Sequence, residues 1–207
     1  SNLFLIMRKP KWKQLSDCGE VFQVSDIFSE QYYMELLDEF RPDYNHIQYN
    51  KREYDGEPSF GEFVDTSIAH TGSKYQFNDG LGWNYKLIDS AFYAKYAAQK
   101  ILKRDLHLMR INTNFQFFGM EAGWHNDYRD EYGPGPAWSF VIYINDYWDY
   151  TYGGQFVVVT KDKEYLNVNP VPNTGCLFNA RLVHRGGAPN RFCVDRRMSL
   201  AFLFEEV

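Results

Sequence analysis

Two histidines and one aspartate carry the clearest chemistry in this sequence. His125 and Asp127 flank Asn126, and His184 stands downstream in Leu182-Val183-His184-Arg185-Gly186. On an extended strand, residues two apart point to the same side. An imidazole and a carboxylate at that spacing can therefore grip one metal ion. A second imidazole from elsewhere completes a set of two histidines and one carboxylate that leaves coordination positions open. Such a facial triad is the signature of non-haem Fe(II) oxygenases, in which substrate and dioxygen must both reach the metal. A His-X-Asp tripeptide alone is common by chance. The other histidines, His46, His70 and His107, read as ordinary surface or core residues. His107 alternates with Leu106 and Leu108, which suits a partly buried histidine better than a ligand.

A second candidate lies near the end of the chain. Arg197-Met198-Ser199-Leu200-Ala201-Phe202-Leu203-Phe204 alternates as a strand does, with Met198, Leu200, Phe202 and Phe204 on a core face. Arg197, Ser199 and Ala201 share the other face, where small neighbours leave room beside a guanidinium. A carboxylate is the natural bidentate match for that cation. A structural pair with Asp or Glu at the strand end fits the same residues equally well.

The elements that must position these groups are legible in outline. At 207 residues the chain suits one domain with a sizeable core. Residues 1–105 read as helical and loop support, and residues 106–207 as a β-rich unit carrying the metal site. Ser29 can cap a helix through Glu30, Tyr33, Leu36, Leu37 and Phe40 that stops before Pro42. A second helix fits Asp89 or Ser90 through Lys103, with four alanines inside and Lys100, Lys103 and Arg104 at its end. The period then changes. Leu106–Asn112, Ser139–Ile144, Gln155–Thr160, Gly175–Asn179, Leu182–Arg185 and Arg197–Phe204 read as short strands. Gly133-Pro134-Gly135-Pro136, Pro172-Asn173 and Gly186-Gly187-Ala188-Pro189 separate them. Short strands so punctuated predict a mainly β jelly roll or barrel with flanking helices.

Composition narrows the partners. A net charge of −5 offers no basic footprint, so no nucleic acid is expected. No apolar run could span a bilayer, and Leu3–Met7 is too short for a signal-peptide core, so no membrane association is expected. Cys18, Cys176 and Cys193 are odd in number and far apart. They imply no disulfide framework and suit a reducing, cytoplasmic setting.

From Leu106 to Phe204 the chain resembles the Fe(II)/2-oxoglutarate oxygenases, particularly their prolyl-4-hydroxylase-like branch. The landmarks follow the family's order: His125-X-Asp127, Tyr143-Ile144-Asn145-Asp146, Gly153-Gly154-Gln155-Phe156, Gly175-Cys176-Leu177-Phe178, His184 and Arg197-X-Ser199. Val21-Phe22-Gln23-Val24 before the Ser29 helix is similar to the family's opening. The resemblance implies a double-stranded β-helix, a cupin-like jelly-roll barrel, with Fe(II) at its open end. It implies 2-oxoglutarate chelating that iron, its far carboxylate meeting Arg197 with Ser199 beside it. Tyr143 matches a position whose phenol often reaches the same carboxylate, though an ordinary strand tyrosine fits as well. Asn112 and Arg110, on the first barrel strand, could line the pocket. Oxidative decarboxylation to succinate and carbon dioxide would drive substrate oxidation, with ascorbate supportive. Related halogenases lack a carboxylate at the Asp127 position, so Asp127 argues for hydroxylation. Two departures stand out: Gln155 replaces the family's frequent Glu, and the longer interval between His184 and Arg197 lets Arg196 compete as the anchor.

The substrate implied is a peptidyl residue such as proline, or a small amino-acid-like molecule. Tyr128–Pro136 has the glycines and prolines of a lid, with Arg129 or Asp130 able to meet charged groups. Tyr147–Tyr152, Arg181 and the segment Asn50–Asp79 could add walls. Two other classes remain open on the residues alone. One is a cupin-type metalloenzyme without 2-oxoglutarate, which has no need of Arg197-X-Ser199. The other is a non-catalytic jelly-roll binding module, which has no need of an intact triad.

Overall fold

The computed structural model describes residues 9–40, 69–70, 85–128 and 134–207. The expected wall at Asn50–Asp79, apart from Ala69 and His70, and the lid residues 129–133 lie outside them. In chain order the elements are β1 (Lys11–Gln14), β2 (Val21–Ser25), α1 (Glu30–Phe40), β3 (Ala69–His70), α2 (Tyr85–Leu102) and β4 (Leu106–Gln116). There follow β5 (Ala137–Tyr143), β6 (Phe156–Val159), β7 (Tyr165–Val168), β8 (Thr174–Asn179), β9 (His184–Gly186) and β10 (Arg197–Glu206). The strands form a seven-stranded sheet in the order β1-β2-β8-β5-β10-β4-β3 and a three-stranded sheet in the order β7-β6-β9, all pairs antiparallel. Together they make a jelly-roll barrel with two helices against the large sheet.

Side-chain alternation sorts the core into layers. Phe140, Ile142 and Ile144 join Met198, Leu200, Phe202 and Phe204 on the helix side, where they meet Phe28, Tyr33, Leu36, Ala94 and Ala97. Val141 and Tyr143 point the other way, into a core shared with Phe156, Val158 and Val168 of the small sheet. The alternation in β5 and β10 predicts this division, because each strand is buried on both faces against a different layer.

Helix boundaries follow local chemistry. The Ser29 hydroxyl accepts the Tyr32 N–H at 3.2 Å and caps α1. Helix α2 begins about a turn before the expected Asp89 or Ser90. Nothing in Tyr85-Lys86-Leu87-Ile88 breaks a helix, and Ser90 is buried inside it rather than at its cap. It ends where Lys103 turns left-handed at φ 57° and donates its N–H to Gln99 O at 3.0 Å.

Three features depart from simple alternation. Strand β7 was not apparent, because only Val168 of its four residues is buried. His107 is exposed rather than partly buried. Strand β4 runs to Gln116 and carries a bulge: Leu203 pairs with Arg110 and Phe204 with Leu108, so Met109 is an extra residue. Leu106 and Leu108 consequently pack on the helix-side core, whereas Arg110, beyond the bulge, bonds Asp127.

Candidate metal centre and co-substrate pocket

The two histidines are brought face to face by the backbone. His125 N–H donates to His184 O at 3.0 Å, and His184 N–H returns a bond to His125 O at 2.8 Å. Asp127 and Tyr128 N–H groups both donate to Ala180 O, at 3.0 and 3.1 Å. The ligand segment is thus stapled along the chain that leads into β9.

Hydrogen bonding fixes which ring nitrogens are available. His125 Nδ1 lies 2.9 Å from Gly123 O, and His184 Nδ1 lies 3.0 Å from Leu182 O. A carbonyl only accepts, so each Nδ1 carries the proton and each Nε2 keeps a lone pair for a metal. Asp127 sits between them, Oδ1 at 3.7 Å from His125 Nε2 and Oδ2 at 3.6 Å from His184 Nε2. One donor atom from each residue lies within 4.8 Å of the others. Two neutral nitrogens and one carboxylate suit a divalent iron, so the donor set fits the metal the resemblance implies.

Charge and burial prepare the same state. Burial alone would raise the Asp127 carboxyl, but His184, Arg110 and His125, with the Ser139 hydrogen bond, bring it down to about 2. Burial pulls His184 below the ordinary imidazole range, despite the nearby Asp127 charge. Its ring packs against Phe178 and Phe156, with centroids 4.6 and 5.3 Å away. The His184 side chain is 4 % exposed and that of His125 39 %. The centre therefore opens to solvent on the His125 side.

A second cluster lies on β10 and its neighbours. Ser199 pairs with Tyr143 on one side and Asn114 on the other. The Arg197 guanidinium carbon lies 5.8 Å from the Tyr143 ring centroid. Arg197 Nη1 donates to Gly154 O at 2.8 Å and Gly187 O at 3.2 Å. Arg197 Nε, Ser199 Oγ and Tyr143 Oη are buried without a hydrogen-bond partner among the described residues. Buried polar atoms are costly to leave so. A guanidinium N–H and two hydroxyls are a donor set for a carboxylate, and their chemistry therefore fits the far end of 2-oxoglutarate. Gly186 makes room for the cation, since a Cβ there would meet Arg197 Nη2 at 2.5 Å. Arg196 turns to the other side of β10, its guanidinium carbon 5.3 Å from the Phe115 ring centroid. Phe115 belongs to the helix-side core.

Asn112 is buried beside Ala201 on β4, but its amide serves its own strand. With the amide oriented to suit its neighbours, it donates to Ile111 O at 3.0 Å and accepts from Arg110 Nε at 3.3 Å. Of the expected walls, Trp148 donates to Gly153 O at 3.1 Å and packs by Gly154, at the Arg197 end. Tyr150 is exposed. Arg181 lies over the Tyr128 ring at 5.1 Å and bonds Gly135 O at 3.1 Å. Ser139 was not singled out in the sequence, although its phase with Val141 and Tyr143 was a usable signal.

Residues 111–205 match the family model described as the 2OG-Fe(II) oxygenase superfamily. The barrel portion of the chain belongs to that superfamily. The oxygenase takes Fe(II) and 2-oxoglutarate as cofactors and is a 2-oxoglutarate-dependent dioxygenase. Its fold is similar to a Pseudomonas putida prolyl-4-hydroxylase at 19 % identity and TM-score 0.62, covering 91 % of this chain and 93 % of that one. It is similar to a Trichoplax adhaerens prolyl hydroxylase in complex with a hypoxia inducible factor peptide, at 12 % identity and TM-score 0.64, covering 90 % and 83 %. A non-heme alpha-ketoglutarate-dependent epimerase from nogalamycin biosynthesis matches at 15 % identity and TM-score 0.61, covering 89 % and 77 %. No curated protein matches the oxygenase in sequence. Among the described residues no helix is long and apolar enough to cross a membrane.

Proposed function

We propose that His125, Asp127 and His184 hold the iron of this dioxygenase, and that Arg197, Ser199 and Tyr143 hold the far carboxylate of 2-oxoglutarate, with Asn112 on the same barrel face. We assign it hydroxylation of a peptidyl residue such as proline, or of a small amino-acid-like molecule. The observation that carries the metal assignment is the pair of Nδ1-protonated imidazoles whose Nε2 atoms flank one carboxylate. Bound Fe(II) and 2-oxoglutarate would together activate dioxygen, the oxidant, so that one oxygen atom goes to succinate as carbon dioxide leaves and the other goes to a substrate C–H bond.

The residues divide the remaining work. Asp127 and the two imidazoles would hold the metal as three ligands, which leaves coordination positions for other ligands. Arg197, pinned by two backbone carbonyls, offers Nε as a fixed donor to the co-substrate. The phenol of Tyr143, pushed above its ordinary range mainly by burial, stays protonated and serves as a donor. The exposed edge of His125 marks the direction from which substrate approaches. The peptide and small-molecule alternatives are supported by relatives of this fold that bear both kinds of name. Three unpaired cysteines support a reducing, cytoplasmic setting. We read residues 1–207 as one oxygenase unit, since β1 and β2 extend the same sheet that carries β10.

The test uses protein purified without oxygen, given Fe(II), ascorbate and 2-oxoglutarate, then exposed to air. Succinate should form, faster with the correct substrate in a panel of prolyl peptides and free amino acids. Asp127→Ala should abolish iron-dependent turnover, and Arg197→Ala should chiefly raise the KM for 2-oxoglutarate. Succinate formation by Asp127→Ala at the wild-type rate would refute the metal assignment. A co-substrate defect in Arg196→Ala instead of Arg197→Ala would refute the anchor.

A further inference from the structure

Asp127 is the one candidate ligand outside a strand or bridge, and its carboxylate torsion is intrinsically soft. Yet both of its oxygens are held. Arg110 Nη2 donates to Oδ1 at 3.1 Å, and Ser139 Oγ donates to Oδ2 at 2.6 Å. Each oxygen thus has one donor and faces one candidate imidazole, His125 from Oδ1 and His184 from Oδ2. Two donors on two oxygens define the plane of the carboxylate. The donors are themselves fixed. Arg110 and Ser139 pair with the same residue, Leu203, from opposite sides of β10. Arg110 is further oriented by Asn112, whose amide oxygen receives its Nε at 3.3 Å.

Two observations set Arg110 apart from an incidental ion pair. The first is the extra residue Met109, which gives Arg110 a different face from Leu106 and Leu108. Bulges beside active sites commonly re-aim one side chain in this way. The second is the sign of its charge. A guanidinium beside a centre that must take a divalent cation repels that cation, so it is not placed there for charge complementarity to the metal.

We propose that Arg110 and Ser139 are positioning residues that lock the Asp127 carboxylate between the two imidazoles, so that the metal centre is formed before the metal arrives. The proposal rests on the assignment of His125, Asp127 and His184 as ligands. Such partners of a metal ligand typically contribute about 10–100-fold to metal affinity.

The test is a Co(II) titration of the metal-free full-length protein, read by calorimetry and by the visible absorption of bound Co(II). Ser139→Ala and Arg110→Met should each weaken Co(II) binding by about 10–100-fold, with altered Co(II) absorption. Arg110→Lys and Ser139→Thr, which keep a donor, should recover part of the loss. If Arg110 were only a neighbouring charge, its removal in Arg110→Met would tighten Co(II) binding. Unchanged or tighter binding in either Arg110→Met or Ser139→Ala overturns the pair as positioning residues. If Arg110→Met does not fold, Arg110→Gln replaces it, with the same expected loss and the same overturning result. Absence of Co(II) binding to the wild type, or equal binding by Asp127→Ala, overturns the ligand assignment itself and this proposal with it. Wild-type binding that Asp127→Ala loses but the two variants keep overturns this proposal alone.

Discussion

Arg197 shows how little freedom a useful side chain retains in this barrel. Its Nη1 is committed to Gly154 O and Gly187 O, and its Nε remains for a ligand. A lysine has one nitrogen where the guanidinium has a fork, so it cannot hold both carbonyls and a carboxylate together. Arg197→Lys should therefore behave like Arg197→Ala in 2-oxoglutarate binding, measured as the KM of succinate formation. Gly186→Ala should act on the same property from the opposite wall, because its Cβ would press on Arg197 Nη2 and Gln116 Oε1. We expect Co(II) affinity to stay within a few-fold of wild type in Gly186→Ala while the 2-oxoglutarate KM rises about tenfold or more, as for a displaced binding group. The residues with intrinsic chemistry, His125, Asp127, His184 and Arg197, were legible because residue type and a two-residue spacing suffice to mark them. Ser139 is marked in the sequence only by its phase with Val141 and Tyr143, because a serine acquires its role from the carboxylate placed against it.

At the scale of elements, one tyrosine ties α1 to the barrel. Tyr33 Oη donates to Asn145 O and accepts the Asn173 N–H at 3.1 Å, inside the helix-side core. Tyr33→Phe removes the partner of Asn145 O, while the Asn173 N–H keeps its bond to Tyr143 O at 3.1 Å, and should cost about 1–3 kcal/mol, read from urea unfolding. Ser29→Ala removes the cap of the same helix and should cost about 1 kcal/mol by the same measurement. Strands β5 and β10 were readable because each lies between two cores, which enforces strict alternation. Strand β7 is largely exposed, so pairing with β6 rather than side-chain pattern makes it a strand. The start of α2 was misplaced because a capping residue is only an offer, and the buried Ser90 declines it.

Across the whole molecule, the two sheets are joined by polar as well as apolar contacts. Glu20, just before β2, accepts bonds from Lys161 between β6 and β7 and from Asn179 at the end of β8, the latter at 3.1 Å. Burial alone would raise the Glu20 carboxyl, but bonds from Lys161, Cys18 and Asn179 and the Lys161 charge hold it below its ordinary value. A depressed carboxyl pKa contributes stability that is full above the unfolded value of 4.5 and is lost as pH falls through the folded one. Lys161→Met should thus lower stability at pH 7, and the difference from the wild type should shrink as pH falls below 4.5 and through the depressed folded value, in parallel denaturant titrations. Because Lys161 is largely exposed, the difference at pH 7 should stay below about 1 kcal/mol and shrink in high salt. The barrel itself was foreseeable from strand count and turn punctuation. The contribution of β1 and β2 to its large sheet was not, since only the resemblance marked that stretch. The bulge at Met109 bears on how this chain should be compared with its relatives. A homologue one residue shorter there would lose only the unpaired position and keep both faces of the strand in phase. Its arginine would still stand opposite the counterpart of Leu203, although its count from the start of the strand differs by one. In an alignment, a gap placed at Met109 therefore spares the metal centre, whereas the same gap one position later removes Arg110 itself.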